Sequence, residues 1–203
     1  MDEIALIQDA QKGDLDAFNS LVLAYQDMVY YQAYRMMGEP EAADDATQEA
    51  FISAFRNMGS YRGGSFKAWL LRIVTNACYD ELRRRKRRPT TPLEPLDDHE
   101  EEIESPYWMI DSGESPEEAA QRTELANAMQ DCLDDLPPDF RAVVILVDMQ
   151  GLDYSEASKS MGKPLGTVKS RLARARLRLR DCLQGFWELL PAKYRLVDEE
   201  STP

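Results

Sequence analysis

Apolar residues recur along this chain at three- and four-residue steps, which places them on single helical faces, and no alternating strand-like stretch competes with them. Asp14 is positioned to cap a helix whose Phe18, Leu21, Val22, Tyr25, Met28 and Val29 form one stripe, and Gly38 to end it. After Pro40 a second segment places Ala43, Ala46, Ala50, Phe51, Ala54, Phe55 and Met58 on one side and ends at Gly59. A third begins after Gly63-Gly64-Ser65, buries Phe66, Leu70, Ile73, Val74 and Ala77, and stops at Pro89. In Ser115-Pro116-Glu117-Glu118, serine as N-cap, proline at the first helical position and glutamate three after the serine predict another helix start. Leu125, Met129, Cys132, Leu133 and Leu136 carry that helix to Pro137-Pro138. The run Val143–Val147 fits a buried strand by β-branching, but Phe140, Val143, Val144 and Val147 also make a helical stripe and a lone strand has no partner, so a helix is predicted. Asp153 with Glu156 forms a capping-box start, Gly162-Lys163-Pro164 a turn, and Gly166-Thr167 opens a helix with Val168, Leu172, Ala175 and Leu179 inward. The expected fold is all-α. No internal repeat is detectable.

Between these helical lobes, residues 90–120 hold 11 acidic and no basic side chains, whereas residues 1–89 and 121–203 each hold 12 basic and 13 acidic ones. The net charge of -13 on 203 residues therefore comes almost wholly from one segment. That stretch, with Pro89, Pro92, Pro95, Pro106 and Pro116 close together, lacks the periodicity of a core and reads as an exposed linker. Its apolar cluster Tyr107-Trp108-Met109-Ile110 would dock on the protein itself or on a partner. The expected organisation is a helical domain at 1–89, a linker at 90–114, a helix-turn-helix domain at 115–183 and a tail at 184–203. The acidic start is unlike a signal peptide, and no apolar run approaches the roughly 20 residues of a membrane span, so a cytoplasmic protein without membrane insertion is expected.

The one histidine, His99, lies among acidic residues, which removes a Ser-His-Asp triad and a multi-histidine metal site. Cys78, Cys132 and Cys182 are far apart with no CxxC pair, so reduced core or surface thiols are expected rather than zinc ligands or a disulfide framework. Catalysis is thus the minor reading, and neither a cofactor nor a metal is expected.

The chemistry that remains is cationic. From Ala157 to Arg180 there is no acidic residue, while Lys159, Lys163, Lys169, Arg171, Arg174, Arg176, Arg178 and Arg180 flank the apolar stripe. A short helix, a glycine turn and a second helix with outward cations is the geometry that sets a recognition helix in the DNA major groove. A solvated cationic helix lying on an acidic partner is the alternative. In the first lobe, Arg72, Asn76, Tyr79 and Arg83 step along a polar face leading into the basic run Arg83–Arg88, just after the loop Ser60-Tyr61-Arg62-Gly63-Gly64. Aromatic, amide and guanidinium groups beside a mobile loop suit unstacked single-stranded bases, each stacking contact contributing about 1–3 kcal/mol. Trp69 would join them or belong to the core.

Three segments carry a family resemblance: Asp45-Ala46-Thr47-Gln48-Glu49-Ala50-Phe51, residues 66–76 (FKAWLLRIVTN) and residues 166–176 (GTVKSRLARAR). In this order, with Leu136-Pro137-Pro138 and Gly151–Glu156 between the second and third, they resemble the signature segments of bacterial extracytoplasmic-function sigma factors. The resemblance spans roughly residues 5–88 and 115–182. It implies a non-catalytic promoter-recognition subunit of RNA polymerase. Asp45, Gln48, Glu49 and Phe51 would dock on the clamp of the largest subunit, with the flap as a further polymerase contact. Tyr61, Arg62, Trp69, Arg72 and Asn76, with Arg83, would read and open the -10 element as single strand. Thr167, Lys169, Ser170, Arg171 and Arg174 would contact the -35 element as duplex. An anti-sigma factor is a further implied partner. A stand-alone helix-turn-helix regulator is the alternative reading. The acidic linker is longer and more acidic than the pattern calls for, and the tail with Phe186, Trp187, Leu189, Leu190 and Tyr194 exceeds it, so the roles of both stay open.

Overall fold

The computed structural model of the chain describes residues 2–87 and 115–189. The whole predicted linker at 90–114, with Tyr107–Ile110 and His99, lies outside the described residues, as do Arg88, Pro89 and the tail from Leu190 onward. Among the described residues eight α-helices follow in order: α1 (Glu3–Gln11), α2 (Leu15–Met37), α3 (Pro40–Asn57), α4 (Phe66–Arg87), α5 (Pro116–Asp134), α6 (Pro138–Val144), α7 (Tyr154–Met161) and α8 (Leu165–Leu183). No strand occurs among them.

The caps predicted at Asp14, Gly38 and Asp153 are observed, whereas α3 stops at Asn57 with Met58 as its C-cap rather than at Gly59, and α8 begins at Leu165, before Gly166. Asp14 accepts from the amides of Asp16 and Ala17, relieving the unpaired donors of the first turn of α2. Gly38 ends α2 at φ +78°, a left-handed conformation that costs a side-chain-bearing residue about 1–2 kcal/mol. The capping box Asp153/Glu156 starts α7, and Gly162, at φ 61°, ends it. Val143–Val147 is helical as expected, but α6 widens into a π-turn over Ile145–Met149 that lets Gln150 and Leu152 donate back to Ile145 and Leu146. Two features depart from expectation. α1 has no counterpart in the predicted pattern, because only Ile7 and Ala10 of its nine residues are buried and Ile4 faces solvent. Cys132 and Cys182 are not reduced thiols: they form a disulfide joining α5 to the end of α8, with Cα atoms 5.8 Å apart. Fifty residues separate them in sequence, and helix packing supplies the proximity that spacing did not reveal. Cys78 is a buried free thiol, as expected.

α1–α4 form one lobe and α5–α8 the second. The two pack directly, so the buried residues make one continuous cluster running from Ile7 to Leu179. α7 lies along α4, and α5 and α6 lie against the end of α2. Polar contacts cross this junction in both directions. Arg35 of α2 donates to Gln130 Oε1 at 3.1 Å and Ala126 O at 3.3 Å, while Arg141 of α6 reaches Met36 O at 2.7 Å. Lys67 Nζ donates to Gln150 O at 2.6 Å, and the Ser160 hydroxyl to Ala68 O at 3.4 Å. Arg35, Arg141 and Ser160 are buried, so these bonds supply partners that water does not. Among the described residues no helix is long and apolar enough to cross a membrane.

Candidate nucleic-acid interface

α4 presents Arg72 and Asn76 to solvent one turn apart, opposite a buried stripe of Phe66, Leu70, Val74 and Cys78. Trp69, half-buried, sits at the edge of that face. Its ring lies 5.5 Å from Tyr61 and 5.4 Å from Phe66, within the range where aromatic pairs attract beyond simple burial. Tyr61 is only 9 % exposed and its hydroxyl donates to Gly64 O at 2.7 Å, so it forms the floor under Trp69 rather than a second exposed platform. Burial raises the pKa of that hydroxyl. Arg62 is exposed, donating to Gly59 O at 2.7 Å. Gly63 and Gly64 have φ of +91° and +95°, and no atom lies within 4 Å of where a Cβ would stand on either, which leaves the outer half of the loop room to move.

The basic end of α4 is partly neutralised by carboxylates of its own helix and by Glu39 at the start of α3. Arg83 pairs with Asp80 at 2.9 Å and Arg84 with Glu81 at 2.7 Å, while Arg85 bridges Glu81 and Glu39. The run is therefore less electropositive than its composition implies. On α3, Asp45, Gln48 and Glu49 are exposed and Phe51 is half-buried. The apolar Ile52 and Phe55 also reach solvent beside them, and neither charge nor motif picks them out.

One cleft of about 800 Å³ gathers much of this chemistry: Asp45 and Glu49 of α3, Trp69, Arg72 and Asn76 of α4, and Lys159 of α7. A neighbouring cleft of about 350 Å³ is bounded by the loop from Ser60 to Ser65, Trp69 and Arg72. α7 walls both.

In the second lobe, α7, the turn at Gly162-Lys163-Pro164 and α8 make a helix-turn-helix. Val168, Leu172, Ala175 and Leu179 are buried, so the cations of α8 flank or oppose them. Lys169, Ser170 and Arg174 are exposed, and Thr167 is half-buried. The Lys169 ammonium lies 5.6 Å from the centre of the Tyr154 ring. Arg171 stands apart: its side chain is 23 % exposed and forms an ion pair with Asp139 at 2.7 Å. Asp139 also faces Tyr79 of α4, whose phenol is raised by burial first and by that charge second. Arg176 pairs with Asp148, and Arg178 lies over Phe140. The fold thus brings Trp69, Arg72 and Asn76 together, with Arg62 on the adjoining loop, sets Tyr61 beneath them and leaves Arg83 apart on Asp80; Lys169, Ser170 and Arg174 face outward, while Arg171 turns toward the junction of the lobes.

Three polar groups central to this arrangement escaped sequence reasoning: Arg35 and Arg141 at the junction, and Gln11 of α1. Arg141 carried a readable signal, a lone arginine at the start of the apolar run 142–147.

Comparison with known proteins gives two family matches, Sigma-70 region 2 over residues 21–88 and Sigma-70, region 4 over residues 126–179. The "ECF RNA polymerase sigma factor SigE" of Mycolicibacterium smegmatis is 41 % identical over 169 residues, which is 83 % of this chain and 62 % of that relative. This chain therefore spans less than two thirds of that relative's length. The "ECF RNA polymerase sigma factor SigW" of Bacillus subtilis is 36 % identical over 179 residues, 88 % of this chain and 95 % of its own. Among solved structures, the sigma factor RpoE in complex with the anti-sigma factor NepR from Bartonella quintana superposes with a TM-score of 0.63 at 25 % identity, covering 84 % of this chain and 98 % of that one.

Proposed function

The chain belongs to the extracytoplasmic-function family of RNA polymerase sigma factors, and from that premise we propose that it directs core polymerase to specific promoters and helps to melt their -10 region. The observation that carries the reading is the presence in one chain of two exposed faces of different chemistry. Trp69, Arg72 and Asn76 lie beside a glycine-hinged loop, a setting for unstacked bases. Lys169, Ser170 and Arg174 lie outward on the second helix of a helix-turn-helix, a setting for duplex. Lysine and arginine there grip phosphates or pair with guanine edges, and the salt dependence of binding follows from the phosphates.

Neither face needs a covalent step. Capturing a base as it leaves the stack stabilises the open duplex, so the protein acts as a non-catalytic subunit and works in the cytoplasm with the polymerase. Exposed Asp45, Gln48 and Glu49, with Phe51 and the neighbouring Ile52 and Phe55, supply a mixed acidic and apolar patch for the polymerase clamp. The lobes correspond to 1–89 and 115–183, with residues 90–114 as tether. An extended chain of 25 residues reaches on the order of 80 Å, enough for the lobes to separate.

The packing gives separation a role. α7, the helix that crosses the phosphate backbone when its partner enters the major groove, lies here along α4 beside the -10 face. Arg171 is held by Asp139 at the same junction. The closed arrangement therefore narrows access to the α4 face and withholds Arg171 from the α8 face, and polymerase and promoter shift the population toward an open one by binding it preferentially. An anti-sigma factor would act by holding the closed form or by covering either face. The test is promoter footprinting with reconstituted holoenzyme. Asn76→Ala should lose permanganate reactivity in the melted region while upstream protection persists, and Lys169→Ala with Arg174→Ala should lose upstream protection. Normal melting by the Asn76 variant, together with normal protection by the other, contradicts the assignment.

A further inference from the structure

The loop between α3 and α4 is braced from outside its own hairpin, by the helix that neither the apolar pattern nor the matched family segment at 21–88 includes. α1 ends at Gln11, whose side-chain amide Nε2 donates to Tyr61 O at 2.9 Å and to Met58 O at 3.3 Å. These two carbonyls bracket the 3₁₀ turn Met58–Ser60 and the point where the chain leaves it, with Tyr61 in extended conformation. One amide thus fixes both ends of the turn.

α1 is itself anchored. Asp2 caps it, Ile7 and Ala10 are buried, and the Glu3 carboxylate accepts from the Tyr25 hydroxyl at 2.9 Å. The Tyr25 ring meets Phe66 edge-on at 5.4 Å, and Phe66 in turn contacts Tyr61 and Trp69. α1 therefore reaches the loop twice, through Gln11 on its backbone and through Glu3 and Tyr25 on the aromatic floor. The outer half of the loop is different: past Arg62 it has two glycines in left-handed conformation with open space around them.

We propose that Gln11 is a positioning residue for single-strand capture, holding residues 58–61 fixed so that Trp69 and Arg62 meet an unstacked base at a set distance while Gly63 and Gly64 let the rim close over it. This rests on the assignment of the α4 face to the melted strand. The ligand is an unpaired nucleotide entering the cleft of about 350 Å³ beside Trp69. Gln11 does not touch it. Its contribution is to remove freedom from the loop before binding, so that less entropy is lost on capture.

The hydrogen-bond donors, not the shape of the side chain, carry the effect, and this sets the test. Holoenzyme reconstituted from core polymerase and full-length chain is titrated with a fluorescent single-stranded oligonucleotide of the -10 non-template sequence, and separately the chain is titrated with core. Gln11→Glu keeps the shape but turns an acceptor toward two carbonyls, and should weaken strand binding about tenfold with core affinity unchanged. Gln11→Lys keeps a donor and should stay within about twofold of wild type. Wild-type strand affinity for Gln11→Glu overturns the proposal. So does an equal loss in Gln11→Lys, or a parallel fall in core affinity, which marks general support of the fold. Arg72→Ala and Asn76→Ala serve as controls: if they weaken strand binding and Gln11→Glu does not, only the role of Gln11 fails. If none of the three does, the assignment of the face fails with it.

Discussion

Replacing Arg35 by alanine should open the closed arrangement without unfolding either lobe. Arg35 is 6 % exposed at the end of α2, and its two hydrogen bonds to α5, at 3.1 and 3.3 Å, cross between lobes. Its guanidinium also lies 5.2 Å from the centre of the Tyr31 ring and 5.9 Å from that of Tyr34. Those rings belong to α2 itself, so their contacts persist in open and closed forms and largely cancel. What remains is a charged donor shared by two neutral acceptors, one at good distance and one long, together about 2 kcal/mol. That corresponds to roughly a 30-fold shift in the closed-to-open ratio. If the closed form dominates in the free chain, the apparent affinity for core polymerase should tighten by up to the same factor, because less binding energy is spent on opening. Two assays read this together: titration with core, and energy transfer between dyes placed through non-natural residues at Leu23 and Leu177, exposed on α2 and α8. Unchanged core affinity with an unchanged dye distance, in a variant that melts normally, would refute the reasoning.

Gly38→Ala should lower the melting temperature by several degrees, since the left-handed φ costs about 1–2 kcal/mol and the new Cβ would stand 2.7 Å from Asp134 Oδ2 of the other lobe. An unaltered calorimetric midpoint contradicts this. Cys132→Ser opens a covalent loop spanning a 50-residue separation and should cost on the order of 4 kcal/mol under oxidising conditions; equal midpoints for variant and wild type there would count against the pairing. The Glu81 carboxyl is held below its ordinary 4.5, chiefly by the hydrogen bond from Arg84; burial opposes this second, and the hydrogen bond from Arg85 and the charges of both arginines add to the lowering. Its contribution to the end of α4 is therefore present above pH about 4.5 and lost as pH falls through the lower folded value. Carboxyl NMR should place its midpoint below the ordinary one and Arg84→Ala should raise it, whereas a wild-type midpoint at or above 4.5 contradicts the pairing.

Local signals in the sequence translated well because they act locally. Asp14 and Gly38 set both ends of α2, and the capping box at Asp153 set the start of α7, since each satisfies backbone groups within its own turn. The stripe Val168, Leu172, Ala175 and Leu179 told which side of α8 faces inward and that Lys169 and Arg174 face out, but not that Arg171 turns to Asp139. What was not legible depends on how helices meet. α1 buries too few residues to write a stripe, and it is held by Gln11 and Glu3, polar side chains whose partners lie far along the chain. The disulfide and the Arg35 and Arg141 contacts likewise join residues that only packing brings together. A tyrosine in a glycine-rich loop reads as an exposed platform for bases, yet the Tyr61 ring turns inward under Trp69. The basic run at the end of α4 was legible as charge, but its pairing with Asp80, Glu81 and Glu39 weakens the field it suggested.

The central claim is that this chain gives core polymerase a promoter preference that core lacks. Run-off transcription on pooled fragments of the genome that encodes it, with core alone and with core plus the purified chain, tests it directly. The account predicts discrete new transcripts that depend on the chain and vanish with Arg72→Ala and Asn76→Ala combined. Tight duplex binding by the chain alone, with no binding to core and no new transcript, would contradict it.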